Sequence, residues 1–231
     1  ARPSGSESLA TAAGFFFNGN AIYDNRYSVD VVYRYEGSSK FGKNQRFAPF
    51  WSLGTAWNIH NEKFFEGNKN IQLLKLRGSI GYLGNISFDP YQALTTYTYN
   101  NRINYIVGAG SVPLAIGNPE LKWERTLSKN VGLDLTLFKN RWDLTLDAYQ
   151  KTTDNLLLDV SLAPSIGAVT ARQNVGEVEN NGIEFQTRVV PIQTKDLQWS
   201  LSLNYSYNRN KVKKVSDALK ALNQKNLGVD S

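Results

Sequence analysis

Apolar and polar residues alternate along most of this chain, most clearly between Lys122 and Leu203. In Asn130–Phe138, Val131, Leu133, Leu135 and Leu137 fall on one face, and Gly132, Asp134 and Thr136 on the other. After Lys139-Asn140-Arg141 the pattern returns, with Trp142, Leu144, Leu146 and Ala148 opposite Asp143, Thr145 and Asp147. A period of two is that of a strand with one apolar and one polar face. It predicts eight strands, at roughly 11–22, 26–36, 47–58, 72–83, 121–138, 141–151, 177–190 and 196–209. No helical period of useful length separates them, although 217–222 could form a short helix.

The connections alternate in size. Asp24-Asn25-Arg26, Lys139-Asn140-Arg141 and 191–196 are short and 59–71 is medium, whereas 36–46, 84–120 and 151–177 are long. Bacterial membrane barrels put short turns on the periplasmic side and long loops outside. The expected fold is therefore all-β: an antiparallel up-and-down transmembrane β-barrel.

Aromatic spacing tests that expectation. Tyr27 to Tyr35 and Trp199 to Tyr207 are each eight residues apart on the apolar face, or about 26 Å of strand. The apolar band between aromatic girdles is about 25 Å tall. Tyr27, Trp57, Trp142 and Trp199 lie beside expected periplasmic turns, with Tyr205 and Tyr207 at the far end of their strand. These six are the expected membrane-interface aromatics. The same alternation also fits a soluble or surface-anchored β-sandwich that binds carbohydrate, with the apolar face covered by a second sheet.

Composition narrows the chemistry. Mean hydropathy is −0.40, and no apolar run is long enough for a membrane helix. A barrel stays open, because lumen residues offset lipid-facing ones in any average. With no Cys and a single His, His60, neither a thiolate nor a His-rich metal site is expected, and no cofactor. The net charge of +6 is spread among 20 acidic residues without a nucleic-acid-binding signature, so no nucleic-acid partner is expected. The absence of Met points to a processed chain or a fragment.

On the polar face, Asp30, Arg34, Lys75, Arg77, Asp134, Asp143, Asp147, Glu184 and Arg188 are expected to face the lumen. Asp143 and Asp147 lie about 13 Å apart on a strand, beyond the roughly 6.5–9.5 Å of inverting glycosidases. No catalytic residue is expected. For ligand contact, the long segment 85–120 carries Phe88 and the favoured candidates Tyr91, Tyr97, Tyr99, Asn101, Arg102 and Tyr105. Aromatic faces beside amides suit sugars or peptides, and the same aromatics would also serve to pack the loop. Trp123 is expected to anchor its strand at the outer membrane interface.

Five blocks, in order, carry a family resemblance: Glu36-Gly-Ser-Ser-Lys-Phe-Gly42, Leu74-Lys-Leu-Arg-Gly-Ser-Ile-Gly81 with Gly84-Asn85, Asn118-Pro-Glu-Leu-Lys-Trp-Glu-Arg-Thr126, Asn130-Val-Gly-Leu-Asp134, and Asn174-Val-Gly-Glu-Val-Glu-Asn-Asn-Gly-Ile-Glu184. Over roughly 11–210 the chain resembles the barrel region of SusC/RagA-type TonB-linked outer-membrane transporters. It departs from the family pattern at Glu36, Leu83 and Ala148, where Asp, Thr and an aromatic are usual.

The resemblance implies TonB-dependent import of an oligosaccharide or oligopeptide, without enzymatic chemistry. It places the protein in the outer membrane of a Gram-negative bacterium of the Bacteroidetes type, in contact with outer-membrane lipid. It implies TonB as a partner through a plug, and a SusD-like surface lipoprotein above. It also implies that residues 1–231 are part of an antiparallel up-and-down transmembrane β-barrel, present as a partial wall of about eight strands, with the plug, the remaining strands and the C-terminal strand lying elsewhere.

Overall fold

In a computed structural model, which describes residues 7–86, 90–105, 108–162 and 170–215, the chain is one wide antiparallel sheet. Its strands are β1 (Ala12–Tyr23), β2 (Tyr27–Ser38), β3 (Phe47–Asn58), β4 (Ile71–Asn85), β7 (Glu124–Leu137), β8 (Trp142–Ser161), β9 (Thr170–Gln193) and β10 (Gln198–Lys214), side by side in that order. A separate two-stranded hairpin, β5 (Thr96–Tyr105) with β6 (Gly108–Ala115), lies between β4 and β7 in sequence. The remaining described helical structure is two 3-10 turns, Ile59–Asn61 and Lys63–Phe65.

Turn chemistry sets the register. Asp24 and Asn25 both have positive φ (51° and 53°), and the Arg26 N–H donates to the Tyr23 carbonyl. Within this three-residue connection, a tight turn with both central residues left-handed matches the twist of the strands it joins, and Asp and Asn tolerate that conformation. Pairing then runs without interruption from Tyr23–Tyr27 to Ala12–Ser38. At the equivalent end of β7, Phe138, Lys139 and Asn140 take positive φ before β8 begins.

The strands are as the alternation predicts, but two long connections are not loops. Segment 84–120 contains the β5–β6 hairpin, and 151–177 is largely the outward extension of β8 and β9. The extension escapes a period-two reading because a bulge lies between Thr153 and Leu156, with Asn155 at φ 56°. A second shift between Leu156 and Leu157 restores the register, so the local pairing is irregular over this stretch. The expected helix at 217–222, and Phe88, lie outside the described residues.

No second sheet covers the apolar face among the described residues. Val131, Leu201 and Leu203 are 58%, 52% and 60% exposed, which a sandwich core does not allow. Apart from Val190 at the turn end, the buried hydrophobics among the described residues gather at the other end of the sheet: Phe41, Phe50, Leu121 and Trp123.

Candidate functional site

The ladder sorts the chain into two chemically distinct faces. One unbroken row of cross-strand neighbours, Tyr23, Tyr27, Trp57, Leu76, Leu133, Leu146, Phe185 and Tyr205, crosses all eight strands on the apolar face. The adjacent row on the other face reads Ser28, Ala56, Arg77, Gly132, Asp147, Glu184 and Ser206. Asp30, Arg34, Lys75, Asp134, Asp143 and Arg188 occupy neighbouring rows of this polar face. All nine candidate lumen residues therefore lie on the same side.

The aromatic residues run obliquely to the ladder. Trp57 shares a row with Leu133, and Trp142 shares one with Leu137. Between β3 and β8, three strand spacings or about 14 Å across, the aromatic line moves four residues, or about 13 Å, along β7. At the outer limit, Tyr207 of β10 is level with Val29, close to the inner end of β2. The aromatic line thus crosses the strands at about 40° from the ladder direction, which equals the 35–45° tilt of membrane barrel strands. Side chains held at one depth in a bilayer by strands tilted that much produce this diagonal.

On the polar face the central feature is Arg77. Its Nε and Nη2 donate to the two carboxylate oxygens of Asp134 (2.7 and 3.0 Å), and Nη2 also reaches Asp147 (3.1 Å). Gly132, between the two acids, makes room for this fork. A Cβ there would fall 2.5 Å from Asp147 Oδ1 and 2.7 Å from Arg77 Nη2. Thr136 donates to Asp143 at 3.0 Å, Asn20 bonds Asp30, and Arg34 pairs with Glu36. Beside Asp147 a shallow groove of about 260 Å³ is lined by Thr145, Glu184, Gln186, Asn204 and Ser206. A second, of about 450 Å³ near the loop end, is lined by Phe16, Arg34, Glu36, Asn85 and Trp123. The described residues contain no group of His and acidic side chains placed to hold a metal.

At the loop end, the motif residues tie connections together. Trp123 is 6% exposed, stacked on Phe41 at 4.3 Å and edge-on to Phe50 at 5.2 Å. Its indole N–H donates to the Arg46 carbonyl. The expected interfacial anchor is thus a core residue: the chain bends inward before β7 and buries the ring between loops. Gly42 allows this, its N–H donating to Leu121 O, and a Cβ there would lie 1.7 Å from the Pro119 carbonyl oxygen. Glu124, 5% exposed, accepts from the Leu157 N–H freed by the β8 bulge (3.0 Å). Asn174 bonds the backbone of Lys122 on both sides and the Asn155 carbonyl.

Of the proposed ligand contacts, the Tyr91 hydroxyl accepts from Leu9 N, and Tyr97 is 65% exposed. Tyr99, Asn101, Arg102 and Tyr105 lie on the β5 backbone, and their side chains lie outside the described residues.

At the turn end, nothing in the sequence singles out Glu62. Its carboxylate is buried and accepts from Tyr27 Oη (2.6 Å), Trp57 Nε1 (2.9 Å) and Arg26 Nη1 (3.3 Å). It clamps the 59–71 turn to the interfacial aromatics. His60 sits in that turn, its Nδ1 3.3 Å from the Leu74 N–H, a local backbone contact. The Tyr27 and Trp57 hydrogen bonds, then the Arg26 charge, hold the Glu62 carboxyl below its ordinary value of 4.5. A depressed carboxyl adds stability above its unfolded value and loses it as pH falls through the folded one. Thermal stability of the whole receptor should therefore fall below about pH 4.5, and Glu62→Gln should flatten that acid limb. An unchanged acid limb would count against the clamp.

The fold and its two faces define a wall segment of an antiparallel membrane β-barrel. The match to known proteins makes the class specific: residues 3–228 fit the model of the TonB dependent receptor-like β-barrel family, and the chain belongs to that family. It is 35% identical to the TonB-dependent receptor SusC of Bacteroides thetaiotaomicron, covering 89% of this chain and 21% of the relative. Against TonB-dependent receptor P39 of Formosa agariphila it is 36% identical, over 84% of this chain and 19% of the relative. The solved RagAB peptide transporter superposes with a TM-score of 0.82 at 32% identity, covering 90% of this chain and 23% of that one. The chain thus spans about a fifth of the length of the curated relatives it matches. Membership in this family places it in the outer membrane.

Proposed function

We propose that this chain supplies wall and outer connections to a transporter that imports an oligosaccharide or oligopeptide across the outer membrane. Transport is energised by TonB through a plug and covered outside by a SusD-like lipoprotein. The observation that carries this reading is the oblique aromatic line along an exposed apolar face whose reverse is continuously polar. Only a lipid-clad sheet around a wet interior asks for that combination.

In this reading residues 1–231 are part of a barrel that closes with further strands. Tyr27, Trp57, Trp142 and Trp199 form the periplasmic girdle, and Tyr205 and Tyr207 meet the outer one. The nine polar-face residues line the lumen, where Arg77, Asp134 and Asp147 present a fixed charge pattern to plug or cargo. Tyr91, Tyr97, Tyr99, Asn101, Arg102 and Tyr105 are placed to meet cargo above it. Similarity to a peptide transporter and to SusC supports import and leaves both cargo classes in play. No step needs a covalent intermediate.

Deleting the gene for the whole receptor should abolish uptake of one labelled pool, oligosaccharide or oligopeptide, as should loss of TonB. Unchanged uptake of both pools would overturn the assignment.

A further inference from the structure

On the polar face of β8, β9 and β10, acids give way to amides as the strands run outward. Asn208 stands opposite Gly182, which stands opposite Tyr149. In the next row outward Asn210 faces Asn180, which faces Lys151. These two rows hold no acid, whereas the row just inward holds Asp147 and Glu184 side by side. Asn208, Asn210 and Lys151 are exposed, and Tyr149 and Asn180 are half-buried. The patch measures about 10 Å across the strands and about 7 Å along them.

Tyr149 reaches across β9 onto Gly182, where an added Cβ would fall 2.4 Å from the phenol Cζ and Oη. The glycine leaves room for that hydroxyl, and the Lys151 ammonium lies 5.1 Å from the ring centroid. Among the described residues no hydrogen bond occupies the Tyr149 hydroxyl or the Asn208 and Asn210 amides. Asn180 Oδ1 is buried without a partner, so nothing in the wall completes that amide. Asn is a poor strand residue. Three of them side by side, with their bonding capacity unused, suit a ligand better than they suit the ladder.

We propose that this patch is a subsite for oligosaccharide cargo. The inference rests on the reading that the polar face lines the lumen of an importer, and it chooses between the two cargo classes. Tyr149 and Lys151 lie well outward of Trp142 on β8, and Asn208 adjoins Tyr207 on β10. The patch therefore occupies the outer half of the lumen. Each amide both donates and accepts, as does each sugar hydroxyl, and the phenol and the ammonium add donors between them. An oligopeptide would require a different surface. β8 and β9 are paired on both sides, so they offer no edge to an extended chain. Apart from the Tyr149 ring, no large apolar side chain stands in the two rows to form a side-chain pocket.

The test is uptake by cells that carry the whole receptor, with labelled oligosaccharide and oligopeptide pools as probes. Uptake of the oligosaccharide pool should be the one lost when the receptor gene is deleted. Asn208→Ala/Asn210→Ala should raise the concentration for half-maximal oligosaccharide uptake roughly tenfold, with receptor abundance and maximal uptake unchanged. Tyr149→Phe removes only the hydroxyl and should raise it by less. Loss of oligopeptide uptake instead would overturn the subsite and leave the import reading intact. A double variant with wild-type half-saturation would also overturn it, whether uptake is otherwise normal or falls only in its maximum. The latter would mean that the amides meet the plug and not the cargo. Unchanged uptake of both pools after deletion would bring down both readings.

Discussion

Leu135→Arg is expected to impair assembly of the whole receptor in the outer membrane. Leu135 lies on the apolar face of β7, directly opposite Leu74 and Leu144. Its row is within the span bounded by Trp142 below and Tyr207 above. An Arg on a barrel's lipid face costs about 2–4 kcal/mol at the bilayer midplane and about 0–1 kcal/mol near the interfaces. Leu135 lies one row from Trp142, towards the inner interface, so the cost falls below the midplane figure. Its neighbour Thr136 faces the other way, against Asp143, so Thr136→Arg should cost far less. The pair alone does not exclude a protein-covered face, because a packed core would reject Arg too. Leu135→Phe makes the distinction. Fluid acyl chains give way to a larger ring, whereas a packed core charges about 1–3 kcal/mol for overpacking. Heat-modifiable electrophoretic mobility of the membrane fraction reads all three. The expected order is full assembly for Leu135→Phe, near-normal assembly for Thr136→Arg and impaired assembly for Leu135→Arg. Failure of the Phe variant would mean that protein, not lipid, lies against this face.

The wall was legible in the sequence because its cause is local. Each strand alternates, and alternation survives translation into faces without knowledge of its neighbours. The diagonal of aromatics was half visible: Tyr27, Trp57, Trp142 and Trp199 all flank turns, but their oblique line needed the pairing register. What stayed hidden depends on non-periodic contacts. The outer part of β8 reads Leu156-Leu157-Leu158, an unbroken apolar run, because Leu157 on the inner face packs against the Trp123 cluster instead of meeting water. β5 alternates Thr with Tyr and Asn, residues too similar in polarity to mark a face. Phe41, Gly42, Leu121 and Glu124 were visible as motif letters, but the contacts that explain them span about eighty residues of chain. Glu62 carried no signal at all, since a lone Glu in a turn normally faces water.

Trp123→Ala should release the outer connections that these motifs hold. The ring is buried between Phe41 and Phe50 and bonds the Arg46 carbonyl. Removing a buried Trp side chain costs about 3–5 kcal/mol when the site cannot collapse. Here collapse is resisted by the ladder that fixes Phe50 opposite Arg34 and by the close approach of Gly42 to Pro119. The loss falls on one end of the sheet, so the loops should open locally while β7 and β8 stay paired. Lys43 and Arg46 lie exposed in the clamped loop and report that opening as tryptic sites. When opening and closing are fast relative to cleavage, the cut rate follows the open population. A rise of about a hundredfold or more in cleavage at these two sites is the expected result. Trp123→Phe keeps most of the packing and loses the N–H donor, so it should fall between the two. Gly42→Ala should imitate Trp123→Ala by a different route, because its new methyl group cannot coexist with the Pro119 carbonyl at the present separation. Cleavage at wild-type rates in both variants would mean that the loops are held by something other than this aromatic joint. The motif Asn118–Thr126 would then need a different physical cause.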